Sequence, residues 1–144
     1  MKIRKARRSD AERIAQLTGE LGYPATAAQV ATRLRQLTPV SKHAVFVAET
    51  GDVDASLIGW VHVSVSHLLE SDIRAEVNGL IVAEGQRSAG AGAKLLDAAE
   101  QWARRRGCRG MNVRSNVIRE RAHGFYERNG YEHYKTQKAF RKAL

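Results

Sequence analysis

The chain has 144 residues, 43% hydrophobic and 27% charged, the balance of one soluble globular domain and not of a disordered tail. Twenty-four Lys and Arg against fifteen Asp and Glu give a formal charge of +9, which suggests an anionic partner: nucleic acid, an acidic membrane surface or a phosphorylated small molecule. The charge is unevenly divided, with +5 over residues 1–40, −4 over 41–83 and +8 over 84–144. No apolar run approaches the ~18–20 residues of a membrane span. The basic N-terminus has no apolar stretch behind it, so no secretory signal is expected. One cysteine, Cys108, excludes a disulfide framework and a cysteine-based zinc site, and fits a buried small residue in a reducing cytoplasm.

Residues 2–6 read as a short strand. Ser9-Asp10 offers an N-cap for a helix over Ala11–Glu20, with Ile14, Leu17 and Leu21 at helical spacing, broken by Gly22-Tyr23-Pro24. A second helix is expected over Ala25–Leu37, with Val30, Leu34 and Leu37 as its apolar stripe and Pro39 closing the region. The period then changes. His43–Glu49 holds a continuous apolar run, a strand buried on both faces, and Gly51-Asp52 marks a turn. Ser56–Ser66 alternates, Val61, Val63 and Val65 facing one way and His62, Ser64 and Ser66 the other, as in a half-exposed strand. Ile73–Ala83 follows as its antiparallel partner.

A strong amphipathic helix is expected over Gly90–Arg106, with Leu95, Leu96, Ala99, Trp102 and Ala103 on its core side, and Gly107 ends it. Met111–Val113 is a short strand, Arg119–Arg128 a further helix stopped by Asn129-Gly130, and Tyr131 to about Arg141 final strand material. With no repeat, low-complexity stretch or linker, residues 1–144 form a single mixed α/β domain of order β-α-α-β-β-β-α-β-α-β. The helix at Gly90–Arg106 should join two parallel strands.

Arg87-Ser88-Ala89-Gly90-Ala91-Gly92 sits between a strand and a long helix. Glycine lets backbone approach a ligand, and amides at a helix N-terminus bind phosphate oxygens, with Arg87 and Lys94 adding charge. A P-loop would need Gly-Lys-Ser/Thr, but Gly92 is followed by Ala93-Lys94. A dinucleotide fingerprint would need a small residue where Leu95 stands.

The segment instead matches Arg/Gln-x-x-Gly-x-Gly/Ala, the pyrophosphate motif of the Gcn5-related N-acetyltransferase (GNAT) family, which the chain resembles. The preceding Ala75–Val82 looks like that family's fourth strand. Downstream, Ser115-Asn116, Arg119, Ala122-His123 and Phe125-Tyr126-Glu127-Arg128-Asn129-Gly130-Tyr131 look like its last helix and strand. The resemblance covers nearly the whole chain in order. It implies a mixed, mostly antiparallel twisted sheet with helices on both faces. It also implies an enzyme that moves an acetyl group from acetyl-CoA to a primary amine by direct attack in a ternary complex, with no metal.

By the same resemblance, the pyrophosphate lies on the amides of Ser88, Ala89, Gly90, Ala91 and Gly92 beside Arg87. The pantetheine arm runs along Leu80, Ile81 and Val82. A bulge is expected at Asn78-Gly79, and an amide near Leu80 or Ile81 would polarise the thioester carbonyl. Tyr126 is the candidate general acid, protonating the departing thiolate, and Glu76 the candidate general base, with His62 and His67 as alternatives. Where many members carry a pantetheine-binding asparagine, seven residues before the tyrosine, this chain has Arg119. Either Asn116 reaches the cofactor or Arg119 takes over with a phosphate contact.

The acceptor side would be lined by Glu20, Tyr23, Glu70, Asp72 and Glu76, suited to a cationic small-molecule amine. Two other readings compete: acetylation of a protein lysine or N-terminus, and a basic nucleic-acid module using Arg104–Arg106, Arg109 and Arg114. The second is weakened because a helix C-terminus explains the arginine run. A cytoplasmic location is expected, no membrane partner is, and homodimers are common in the family. The charge division then becomes local: +8 around an anionic cofactor and −4 around a cationic acceptor.

Overall fold

The computed structural model describes residues 1–37, 42–51, 56–87 and 89–144. It resolves into two compact units, Met1–Val113 and Arg114–Leu144. The first holds β1 (Lys2–Lys5), α1 (Ala11–Glu20), α2 (Ala27–Leu37), β2 (His43–Glu49), β3 (Leu57–Ser66), β4 (Arg74–Val82), α3 (Ala91–Arg105) and β5 (Met111–Val113). The second holds α4 (Glu120–Arg128).

The five strands form one sheet in sequence order, antiparallel from β1 to β4, with β5 added parallel to β4. A parallel neighbour requires a crossover, and α3 supplies it. Gly59 and Trp60 are adjacent on β3 and therefore face opposite ways. Trp60 packs with residues of α1 and α2, whereas a Cβ on Gly59 would meet Leu95 of α3 at 3.1 Å. Helices thus cover both faces of the sheet.

The apolar spacing accounts for that cover. Ile14, Ala15, Val30 and Leu34 turn inward from α1 and α2 onto Val47 and Leu57. Leu95, Leu96, Ala99, Trp102 and Ala103 form the buried stripe of α3, a helical repeat along one face. Leu17, Leu95, Leu96, Val47, Val61 and Val63 are among the largest fully buried side chains. Burying each is worth about 1.5–3 kcal/mol.

Several expectations change. α2 starts at Ala27, not Ala25, because Thr26 and Gln29 close a capping box: the Gln29 amide donates to Thr26 Oγ1 (3.1 Å) and the Thr26 amide to Gln29 Oε1 (3.0 Å). Asp10 does not cap α1 through its side chain. Its carboxylate turns back to accept from the Arg7 amide (2.6 Å) and from both Nη atoms of Arg4 (2.8 and 2.9 Å). Arg4 Nε also donates to Glu49 Oε1 (2.7 Å), so one of the N-terminal basic residues is consumed inside the fold. β3 is not half-exposed: it is the central strand, covered on both faces, with Ser64 only 8% exposed. The final strand does not form, and residues 131–144 have neither helix nor strand. The sequence reads as strand material here, but a ladder needs a partner, and none pairs with these residues among the described residues. Pro39 and Asp52, expected at breaks, lie outside the described residues.

Candidate active site

β4 runs from Arg74 to Val82, yet β5 pairs with it only over Ala75–Val77. From Asn78 to Val82 its outer edge therefore has no strand neighbour among the described residues. The ladder to β3 slips at the same point: His62 lies opposite Gly79 and Val63 opposite Val77, leaving Asn78 unmatched. This is a bulge at the expected Asn78-Gly79. Asn78 Nδ2 donates to Ser64 Oγ at 2.8 Å across the ladder and fixes it.

The direction of the backbone groups follows from one bond. Ala83 donates its amide to Ile58 O at 2.7 Å, toward β3. Strand alternation then turns Ile81 toward β3 as well, and Leu80 and Val82 toward the open edge. The Val82 carbonyl agrees, accepting from Arg87 Nε at 3.3 Å. Of the two amides considered for the thioester carbonyl, Leu80 offers its N–H at the edge and Ile81 spends its own in the sheet.

The strand leads into a short 3-10 turn, Glu84–Gln86, then Arg87 and the N-terminus of α3. Gly90 is the N-cap, with φ +82° and ψ 6°, a left-handed conformation that directs the chain into the helix. Ala91 and Gly92 are buried beneath it, Arg87 is half-buried, and Ala89 is exposed. First-turn amides have no carbonyl within their own helix to bond, so this end can accept anionic oxygens. Ser88 lies outside the described residues.

Glu76 occupies a polar row across the sheet. His43 is opposite Ser64, Ser64 opposite Glu76, and Glu76 opposite Asn112, so four strands each place a polar side chain on one face. Asn112 Oδ1 accepts from Arg74 Nε at 2.8 Å. His62 lies on the same face, its Nε2 3.0 Å from His43 Nδ1. Burial, reinforced by His43, lowers the His62 pKa to about 4, so this imidazole is neutral at physiological pH. His67, the other alternative base, is exposed in the β3–β4 connection.

Within the second unit, Tyr126 projects from α4 with its ring edge-on to Phe125 (centroids 5.2 Å) and to Tyr131 (5.8 Å). Burial pushes its phenol above the usual value, so it holds its proton at neutral pH. Asn116 works locally: Oδ1 accepts from the Ile118 amide (3.1 Å), and its carbonyl lies 2.8 Å from His123 Nε2. Arg119 is the N-cap position of α4. Of the expected acceptor residues, Glu20, Tyr23, Glu70 and Asp72 are exposed, while Glu76 is half-buried.

Sequence reasoning passed over His43, Trp60, Ser64 and Asn112 as site residues. Alternation in β3 put Ser64 and His62 on one face, but pairing them with His43 and Glu76 needs the register. Among the described residues no group of three or more His, Cys, Asp or Glu is placed to hold a metal ion, and no helix is long and apolar enough to cross a membrane.

Known structures share this fold. AAC(6')-Iy, an aminoglycoside N-acetyltransferase solved with a bisubstrate analogue of CoA and acetylneamine, superposes with a TM-score of 0.84 at 19% identity, covering 99% of this chain and 98% of that one. The aminoglycoside 6'-N-acetyltransferase AAC(6')-Ig of Acinetobacter haemolyticus gives 0.82 at 18% identity, with 100% and 99% covered. A protein described as a transcriptional regulator from Bacillus halodurans C-125 gives 0.83 at 20% identity, with 96% and 99% covered. None of the curated protein sequences matches the chain. The model of the Acetyltransferase (GNAT) family matches residues 6–131, taking in the open-edged strand, the glycine loop and the tyrosine-bearing helix in one span, and the chain belongs to that family.

Proposed function

We propose that this acetyltransferase moves an acetyl group from acetyl-CoA to the primary amine of a small molecule, by direct attack within a ternary complex, and that residues 1–144 act as one catalytic domain. The open edge of β4, leading into the glycine loop and the first turn of α3, carries the reading. It offers backbone groups for an extended arm, then amides and Arg87 for a pyrophosphate. The likeness to aminoglycoside acetyltransferases supports a small-molecule acceptor.

Bound acetyl-CoA supplies an activated acyl carbon and a thiolate leaving group. Leu80 and Val82 hold the arm through their edge-directed backbone groups, with Ile81 keeping the strand in register. The Leu80 amide donates to the carbonyl oxygen as charge develops there, an effect worth about 3 kcal/mol for one well-placed donor. Arg87, with the amides from Ser88 to Gly92, binds the pyrophosphate. Asn116 or Arg119 adds a further contact to the cofactor.

Glu76, half-buried in its polar row, accepts the proton that the ammonium form of the acceptor must lose before its nitrogen can attack. Tyr126 keeps its own proton until the thiolate departs and then donates it. The lone thiol, Cys108, fits a reducing compartment and supports a cytoplasmic location. A screen of amine acceptors with thiol release as readout tests the activity. Tyr126→Phe and Glu76→Gln should each lower kcat at least tenfold. If neither slows the reaction, these two roles are wrong.

A further inference from the structure

We propose that the cleft between α1, α2 and the sheet receives a hydrocarbon or aryl group carried by the acceptor, so that the substrate is a monoamine with one compact apolar substituent and not a polyamine. The inference deepens the acetyl-transfer function proposed above and rests on it.

The cavity measures about 150 Å³. Ile14, Val30, Leu34, Val45 and Trp60 supply apolar wall, and His62 closes one side. A volume of roughly this size has room for a benzene-sized group. Two of its polar groups are already engaged, while the indole Nε1 of Trp60 is buried without a hydrogen-bond partner. Thr18 Oγ1 donates to the Ile14 carbonyl at 2.7 Å, and His62 Nε2 meets His43 Nδ1 at 3.0 Å. His62 is neutral at physiological pH. A cationic group placed here would leave water without gaining an opposite charge, since the lining carries no carboxylate.

Position ties the cavity to the reaction. Trp60 lies opposite Ile81 and His62 opposite Gly79, so the cavity floor borders the stretch of β4 whose outer edge is open. The row containing Glu76 continues along the same face of the sheet. An acceptor anchored here would present its amine beside that stretch.

The same surroundings disfavour a polycation. Arg33 is the charged residue of the lining, exposed at its edge, and it adds positive and not negative charge there. Glu49, on the strand carrying Val45, is paired with Arg4 at 2.7 Å. Glu20, Glu70 and Asp72, expected to recognise extra positive charge, are all exposed. Charge selection in a buried site needs carboxylates withdrawn from water, and these are not.

The test compares ethylamine, 2-phenylethylamine and spermidine as acceptors, read by thiol release, together with NMR signals of the Trp60 indole N–H and the His62 ring. Burying the phenyl group should raise kcat/KM for 2-phenylethylamine over ethylamine by roughly 30-fold, with spermidine no better than ethylamine. Leu34→Trp fills the cavity and should bring the ratio close to one. Ala25→Leu, at a half-buried loop position on the rim, does the same should the larger substitution impair folding. The Trp60 and His62 signals should shift with 2-phenylethylamine in the unaltered protein and not in Ala25→Leu. Turnover with equal kcat/KM for the two monoamines, or a preference for spermidine, overturns the inference while acetyl transfer stands. Shifted signals without turnover of any amine uphold the cavity as a binding site and overturn acetyl transfer to amines. Neither shift nor turnover overturns both.

Discussion

Trp60 lies across the Cα of Gly79: a Cβ built on that glycine falls 2.7 Å from indole Cη2 and 2.8 Å from Cζ3. Gly79 directly follows the bulged Asn78, so the missing side chain and the slipped register meet at one point of β4. Gly79→Ala must move the ring or the strand. Overpacking of this kind costs about 1–3 kcal/mol. Urea unfolding should show that loss with an unchanged m value. Trp60→Leu in the Gly79→Ala background should recover part of it, so that the two substitutions are non-additive. Additive losses would mean the ring is not what excludes a side chain at Gly79.

The bulge has a second support in the bond from Asn78 Nδ2 to Ser64 Oγ, whose residue is 8% exposed. Asn78→Ala leaves that hydroxyl with one partner fewer and should cost about 1 kcal/mol. Because the bulge begins the open edge of β4, the KM for acetyl-CoA should rise several-fold with a smaller change in kcat. Asn78→Asp should rescue both, since the Ser64 hydroxyl can rotate and donate to the carboxylate. An effect on stability with no change in KM would separate the bond from cofactor binding.

Much of this was legible in the chain. The helical stripe of Leu95, Leu96, Ala99, Trp102 and Ala103 predicts α3, because a 3.6-residue apolar repeat has few other uses. The family resemblance implies a bulge in β4, and the glycine of Asn78-Gly79 marks its place, since glycine inside a strand often accompanies a bulge. What stayed hidden depended on pairing. Alternation puts Ser64 and His62 on one face of β3 but does not say that His43 and Glu76 lie beside Ser64. The strand expected over 131–141 failed for the same reason: a local pattern supplies one half of a ladder. Asp10 reads as a helix cap in sequence, and only the position of Arg4 shows where its carboxylate goes.

His62 makes stability depend on pH in a definite direction. Its pKa is about 4 in the fold against 6.5 unfolded, so the unfolded chain binds a proton first as pH falls. Stability should be level above pH 6.5, fall between 6.5 and 4, and level off again below the folded value with respect to this group. With allowance for the part of the ring that water reaches, the loss is on the order of 2 kcal/mol. Asp10 acts in a different window. Burial raises its pKa, but the Arg4 fork and the Arg7 amide outweigh burial, and its contribution is lost as pH falls below 3.8. Urea midpoints at pH 7.5 and 5 should therefore differ more in the unaltered protein than in His62→Gln. Equal differences would show that His62 does not carry the effect.

Gly90 tests the cofactor loop separately from the sheet. Its φ of +82° is costly for a residue with a Cβ, although a Cβ there would meet nothing within 4 Å. Any loss on substitution is therefore conformational and not steric. Gly90→Ala should cost about 1 kcal/mol, and Gly90→Asn less, because asparagine tolerates this region better. The kinetic effect should follow the same order. Strain that shifts the first turn of α3 turns its amides away from the pyrophosphate, raising the KM for acetyl-CoA while leaving that for the amine nearly unchanged. A matched rise in both constants would mean that the loop positions the acceptor as well. An alanine variant with unaltered acetyl-CoA kinetics would remove Gly90 from the cofactor site.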